Sequence, residues 1–311
     1  MIDTSLYSSH IPVMLEKCMA LMEPKPGGFY ADGTLGAGGH SEAILKAIIP
    51  DGRLLAFDLD PAAIQIAGKR LKPYANNVRI VHDSYVNIGS YAEENNLDGF
   101  IVDLGVSSMQ LDQRERGFSF LQDGPLDMRF SPDRGLSAAD IVNAWPEEDL
   151  AEILWKYGEE RKSRQIAAMI CAERKNARIE TTGQLKDIIT DAVGLGKEKI
   201  HPATRAFQAI RIAVNGELDA VEAVLPAAMK ALKPGGRLLV ISFHSLEDRI
   251  VKNFFKTESK DCLCPPEQPV CTCGHKASLK ELTRHPVTAD EEEIRVNPRS
   301  RSAKLRAAVK L

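Results

Sequence analysis

A glycine-rich turn between an apolar strand and a helix constrains this chain more than any other stretch. Residues 30–40 read Tyr-Ala-Asp-Gly-Thr-Leu-Gly-Ala-Gly-Gly-His, and Ser41-Glu-Ala-Ile-Leu45 opens a helix. Glycine lets the backbone turn tightly and lets a ligand lie against bare main chain. The helix N-terminus beyond it offers N–H groups to a carboxylate or phosphate. A second apolar run, Leu54-Leu-Ala-Phe-Asp58, ends in an acid, where a ribose diol is expected in nucleotide-binding α/β folds. The chain therefore starts by building a pocket for an adenosine-bearing cofactor.

Strand and helix patterns alternate through the first third. Residues 28–34, 53–58, 78–82 and 98–104 read as strands, and 41–49, 61–71 and, less strongly, 86–95 as helices. The strand runs lack period-two alternation, which suits a parallel sheet buried on both faces. The alternation stops at Gly105. Residues 106–135 are polar and rich in Gly, Pro and Asp and read as a long functional loop. Helical stretches at 138–143, 147–157, 161–175 and 182–193 follow as an inserted domain. Helices at 204–214 and 218–232 are expected to return to the sheet. Pro234-Gly-Gly reads as a helix stop, 237–242 as the fifth strand, 245–255 as a helix and 304–309 as one of a terminal strand pair. The predicted class is α/β, a Rossmann-like sheet formed by 1–108 and 200–311, with an inserted, mainly helical substrate-recognition domain at 109–199.

A length of 311 residues with 44% apolar content supports a sizeable core. The formal net charge of −3 excludes a global positive field, so RNA contact must use local basic patches. No stretch is long and apolar enough to span a bilayer. Residues 1–14 lack the basic-then-apolar order of a secretory leader, and a cytoplasmic location is expected. Of six cysteines, Cys18 and Cys171 sit in apolar helical patterns and read as buried thiols. Cys262, Cys264, Cys271 and Cys273 crowd one short segment ahead of His275. In a reducing compartment such a cluster reads as a metal site before a disulfide framework. Four thiolates suit a structural zinc. The Cys-x-Cys spacing is tighter than the usual Cys-x-x-Cys, so a metal-free loop is the alternative.

Several side chains are placed where chemistry could occur. Asp32, just before the turn, can accept a bond from a cationic amine or from a turn amide, and it would repel a pyrophosphate. Gly36-x-Gly38 is followed by Gly39-His40-Ser41, so the third glycine of a dinucleotide fingerprint is missing, which disfavours a nicotinamide oxidoreductase. Asp60-Pro61 suits a helix start better than Asp58 does, which frees Asp58 for ribose hydroxyls. Tyr85, past the third strand, could stack on adenine or be a half-buried surface tyrosine. Asp103 ends the fourth strand and is the first candidate to face reacting atoms; otherwise it caps the turn. Gln110 and Asp112 follow on the same loop. Arg114, Arg116, Phe118 and Phe120 interleave cations with aromatics, which suits a stacked base and its phosphates. The alternative is that the phenylalanines anchor the loop to a core. His244, past the fifth strand, is either site-facing or structural. Arg299 and Arg301 lie in a basic run suited to phosphates or to a solvated tail.

Long segments are similar to the bacterial ribosomal small-subunit RNA methyltransferase H family. They are His10-x-Pro-Val-Met-Leu, Asp32-Gly-Thr-Leu-Gly-Ala-Gly-Gly-His40, Asp103-Leu-Gly-Val-Ser-Ser-x-Gln-Leu-Asp112, Arg116-Gly-Phe-Ser-Phe120 and Asp123-Gly-Pro-Leu-Asp-Met-Arg129. Tyr157-Gly-Glu-Glu-Arg161, His201-Pro-Ala-Thr-Arg-x-Phe-Gln-Ala209, Ile241-Ser-Phe-His-Ser-Leu-Glu-Asp-Arg249 and Asn297-Pro-Arg-Ser-Arg-Ser302 continue the match. The resemblance implies a class I methyltransferase that uses S-adenosylmethionine to methylate N4 of a cytidine in 16S rRNA. It implies cofactor contacts at Gly38, Gly39, His40, Asp58, Tyr85, Asp103 and Gln110. Expected partners are that RNA, within the small ribosomal subunit, and a second copy of the chain. Many amino-group methyltransferases carry an (Asp/Asn/Ser)-Pro-Pro-aromatic motif after strand four, whereas Asp103-Leu-Gly-Val stands here. Zinc does not follow from the resemblance. A noncatalytic RNA-binding module with a decayed pocket is the other reading.

Overall fold

Apolar strands that end at polar residues set the frame of this fold. The computed structural model describes residues 11–195, 201–265, 267–268 and 270–311, so His10 lies outside the described residues. It divides into two compact units, Met1–Gly105 with Leu218–Leu311, and Val106–Glu217. No helix among the described residues is long and apolar enough to cross a membrane.

The first unit begins with α1 (Leu15–Met22), β1 (Phe29–Asp32), α2 (Gly39–Ile48), β2 (Arg53–Asp58), α3 (Pro61–Arg70), β3 (Val78–His82) and β4 (Leu97–Asp103). All these strand pairings are parallel: β2 lies between β1 and β3, and β4 lies on the other edge of β1. Strand order thus reverses at β1, the switch point beyond which open α/β sheets bind ligands. The near-continuous apolar runs have a direct cause. Leu54, Ala56 and Ile101 pack into one face's core, and Leu55, Phe57, Phe100 and Val102 into the other's. The helix expected at 86–95 is only a 3₁₀ turn, Tyr85–Ser90. Gly89 and Ser90 favour helix weakly, and Asn95 takes a left-handed φ of 55°.

The second unit contains α4 (Ser108–Asp112), α5 (Ala138–Ala144), α6 (Glu147–Gly158), α7 (Ser163–Glu173), α8 (Thr182–Val193) and α9 (Ala203–Asn215). Ser137 and Thr181 open α5 and α8 with reciprocal capping boxes. Residues 106–135 hold only α4 and the 3₁₀ turn Arg114–Arg116, as expected of a long loop, but the loop is packed: Phe118, Leu126 and Met128 are buried in this unit's core, and Met128 N donates to Arg116 O at 3.0 Å. One expectation is corrected here, because α9 does not return to the sheet. Its Ala206, Phe207 and Ile210 pack in the helical core against α6, so this unit extends to Glu217 rather than ending at 199. An apolar helical stripe shows that a face is buried, not which core buries it.

The first unit resumes with α10 (Glu217–Ala231), β5 (Leu232–Ser242), α11 (Ser245–Glu258), β6 (Leu279–Glu281), β7 (Val287–Thr288), α12 (Glu291–Val296) and β8 (Lys304–Lys310). The sheet runs β3-β2-β1-β4-β5-β8-β6, with β7 also on β8. β5 is parallel to β4, and β8 is antiparallel to β5. Pro234-Gly-Gly does not merely stop a helix. It forms an irregularity inside β5, where pairing jumps from Leu97↔Leu232 to Gly99↔Arg237 and Gly235 takes φ 81°. Behind β5, buried Arg306 of β8 holds Asp248 of α11 at 2.7 Å.

Gly99 of β4 lies against Met22, the last residue of α1. A Cβ there would overlap Met22 Sδ and stand 2.9 Å from Tyr30 Cδ1. Gly99→Ala should therefore destabilise the protein by about 1–3 kcal/mol in urea denaturation. An unchanged midpoint would mean that α1 does not press on the sheet.

Candidate functional site

Three acids end the neighbouring strands β2, β1 and β4, and each is treated differently by its surroundings. Asp32 closes β1 and is 1% exposed. Its Oδ1 accepts from Thr34 N at 3.0 Å and its Oδ2 from Ser41 Oγ at 2.7 Å. The acid thus ties both sides of the turn together, the turn-amide role foreseen for it. Burial pushes its carboxyl up, against the lowering influence of His40, Ser41 and Thr34. Gly38 is the N-cap of α2 with φ 79° and offers no capping side chain. A Cβ on Gly39 would come 2.8 Å from Pro12 Cγ.

Asp58 closes β2. Its Oδ2 accepts from Gly36 N at 2.8 Å and its Oδ1 from Asp60 N at 2.9 Å. Asp60 caps α3 through Ala62 N at 3.0 Å, as Asp60-Pro61 led one to expect. Asp58 is therefore spared the capping duty but clamps the glycine turn to β2. Burial raises its pKa to about 6, with the Asp60 and Gly36 amides opposing and the charges of Asp60 and Asp32 adding. Tyr85 is partly buried against the sheet core beyond β3. A Cβ on Gly33 would stand 3.0 Å from Tyr85 Cβ, so the bare backbone at the start of the turn lets this ring approach.

Asp103 closes β4. Its backbone N donates to Thr34 Oγ1 at 2.7 Å, yet its buried side-chain Oδ1 has no hydrogen-bond partner. Its Oδ2 lies 3.9 Å from His40 Nδ1. His40 Nε2 is 2.9 Å from Val13 O, and a carbonyl only accepts, so Nε2 carries the proton and Nδ1 turns a lone pair to Asp103. Burial, then the charges of Asp32 and Glu247, push Asp103 well above the usual carboxylate range. Burial pushes His40 down. The Asp103 carboxyl, biased toward its protonated form, thus faces an imidazole biased toward its neutral form.

His244 precedes α11 with both ring nitrogens buried. Its Nε2 lies 3.1 Å from Glu247 Oε1 without hydrogen-bond geometry, and Glu247 Oε2 accepts from Phe243 N at 2.9 Å. Arg299 and Arg301 are exposed on the 3₁₀ turn Pro298–Ser302. That segment is tied to the N-terminal region through Asn297 Nδ2 to Ile11 O at 3.2 Å, and α12 before it through the Lys17–Asp290 pair at 2.8 Å.

Of the remaining predicted residues, Gln110, Arg116, Phe118 and Phe120 lie in the second unit and the four clustered cysteines in the first. Gln110 completes a capping box, its Oε1 accepting from Ser107 N at 3.1 Å. Arg116 Nη2 donates to Arg129 O at 3.0 Å and Phe130 O at 3.1 Å. Phe118 is no open stacking platform. It is 7% exposed and stacked on Phe130 at 5.7 Å, because the loop uses it to reach the helical core. Phe120, partly exposed, meets Phe207 edge-on at 4.9 Å and lies 5.0 Å from His201. Cys262, Cys264, Cys271 and Cys273 bring their sulfurs within 4.8 Å of one another.

Sequence reasoning missed Thr34 and Glu247. Glu three residues after His244 at a helix start is a capping signal that could have found the latter. Thr34 becomes visible only through the pairing of β1 with β4, Asp32 opposite Ile101.

The chain matches the MraW methylase family over residues 7–311. It is 51% identical over 308 residues to a protein of Heliobacterium mobile named ribosomal RNA small subunit methyltransferase H, covering 97% of this chain and 99% of that one. A Thermomicrobium roseum protein of the same name is 50% identical over 100% of this chain and 96% of its own length.

Asp103 yields a pH prediction. An unfolded Asp titrates near 3.9, and the folded group titrates well above that. Folding therefore favours its protonated form, and its contribution falls as pH rises from about 4 toward the folded value. Asp103→Asn should melt higher than wild type near about pH 8 in calorimetry, the gap closing toward about pH 4. Identical curves at both ends would contradict a buried, protonated acid.

Proposed function

As this chain belongs to the MraW methylase family, we propose that it transfers the methyl group of S-adenosylmethionine to N4 of a cytidine in the RNA of the small ribosomal subunit, in the cytoplasm. The observation that carries the reading is the acid-lined turn at the sheet's switch point, with the unpartnered Oδ1 of Asp103 at its end.

The residues present fit the cofactor. Gly38, Gly39 and His40 supply bare or first-turn backbone at a helix N-terminus, suited to a carboxylate. Each oxygen of Asp58 spends one lone pair on an amide and keeps another for a ribose hydroxyl. Tyr85 offers a ring beyond β3 for adenine, and Gln110 is a further proposed contact. The cofactor, when bound, supplies an electrophilic methyl on a positively charged sulfur, so no metal is needed for the transfer.

This chain's own contribution is orientation. The cytidine N4 lone pair is delocalised into its ring, and the amine must be fixed in line with the reacting methyl. Asp103 is the proposed acceptor for an N4 hydrogen, which would localise that lone pair. A positive charge lodged beside Asp103 lowers its pKa and makes it the stronger acceptor. The methylated nitrogen is acidic and can lose its proton to water, so a dedicated base is unnecessary. The cytidine must leave any stack to enter the pocket. Of the aromatics, Phe120 keeps an exposed part to meet a base, whereas Phe118 does not. Arg299 and Arg301 are proposed to meet phosphates, and Arg116 and His244 are further proposed substrate contacts.

The test is methyl transfer from labelled cofactor to small ribosomal subunits and to free RNA, followed by nucleoside mass spectrometry. N4-methylcytidine is expected, and a methyl on carbon or on the ribose would refute the assignment. Asp103→Ala should lower kcat about 100-fold or more while changing the KM for cofactor less. Near-normal turnover would remove Asp103 from its role.

A further inference from the structure

We propose that Cys262, Cys264, Cys271 and Cys273 hold one zinc ion, which folds the segment between α11 and β6. The described residues of 259–278 carry no helix or strand, and none of them is buried. Leu263 and Val270 are 44% and 67% exposed. A loop of this length without an apolar core needs another source of order.

Hydrogen bonds close the neck. Ser278 N donates to Glu258 O at 2.8 Å, and Ser278 Oγ to Glu258 Oε2 at 2.6 Å. Inside the neck the four sulfurs converge. Cys262 and Cys271 are 3.4 Å apart, Cys271 and Cys273 3.6 Å, and Cys262 and Cys273 3.9 Å. A tetrahedron with zinc–sulfur bonds of about 2.3 Å has sulfur–sulfur edges of about 3.8 Å. A disulfide requires about 2.05 Å. An iron–sulfur cluster, with several irons between its thiolates, spreads them farther than one tetrahedral ion does.

The backbone supplies the second half of the site. Leu263 N donates to Cys273 Sγ at 3.3 Å, Cys264 N to Cys262 Sγ at 3.4 Å and Thr272 N to Cys264 Sγ at 3.4 Å. Neutral thiols are weak acceptors, whereas metal-bound thiolates gather such amide donors. Gly274, with φ 64°, turns the chain directly after the last cysteine. His275 Nε2 is 3.1 Å from Thr257 O, which leaves a closed set of four sulfurs and a structural site. On binding, four thiols release four protons and the ion takes four thiolates. Zinc is independent of the methyl-transfer reading, since none of these cysteines belongs to that site.

Full-length protein purified under reducing conditions should carry one zinc per chain by elemental mass spectrometry. After removal by a chelator, cobalt(II) should restore one equivalent, with a thiolate-to-cobalt charge-transfer band and the intense visible bands of a tetrahedral site. Cys264→Ser and Cys273→Ser should each lose the stoichiometric metal while basal methyl transfer persists. The cobalt titration on the wild-type chain stands even if a variant does not fold. The proposal is overturned if the wild-type protein holds no zinc and gives no cobalt bands while all four thiols react with a thiol reagent, or if the cysteines are isolated as disulfides. Metal retained in both serine variants would overturn it equally.

Discussion

A carboxylate at the end of each of three adjacent strands is the constraint on which this structure turns. Burying a carboxylate is costly unless hydrogen bonds offset the lost hydration. At Asp32 they do, through Thr34 and Ser41, and at Asp58 they do, through Gly36 and Asp60. The bonds from Thr34, Ser41 and Gly36 hold the glycine turn against the ends of β1 and β2. At Asp103 no such compensation reaches Oδ1, and burial shifts the group toward its protonated form instead. An acid left unpaired next to two satisfied ones marks the position where local stability has been given up, and perturbed acids of this kind concentrate at functional sites.

Much of this was legible in the chain because its signals are local. Apolar runs without alternation announced a sheet covered on both faces, and Leu54 through Phe57 divide between two cores accordingly. Asp60-Pro61 announced a helix start and so separated the duties of Asp60 and Asp58. What failed to show depended on distant partners. The stripe on α9 is the same whether it packs on a sheet or on α6. Phe118 beside arginines looks like a platform until Phe130 is seen stacked on it. The raised pKa of Asp103 comes from its burial and then from the charges of Asp32 and Glu247, far from it in sequence, none of which a local pattern encodes.

The second unit carries its own core, and its glycine- and proline-rich entry is stapled down rather than left open. Gly117 and Gly124 permit this, since a Cβ on either would strike the backbone of Pro125 or Arg114. Asn215 finishes the arrangement by bonding Met128 O and Phe130 N, each at 2.8 Å. With a formal net charge of −3, the whole surface supplies no positive field; Arg299 and Arg301 are exposed cations on a local patch.

The central claim is that Asp58 grips the ribose of an adenosine-bearing methyl donor while it pins the turn. Calorimetric titration with S-adenosylmethionine across the acidic to neutral range tests it most directly. The account predicts one site per chain, with affinity steady above a pH of about 6 and weakening below it as the Asp58 carboxylate gains its proton, and a severe loss of affinity at all pH values in Asp58→Ala. Binding that is indifferent to both pH and that substitution, or tighter binding of a dinucleotide redox cofactor, would contradict it.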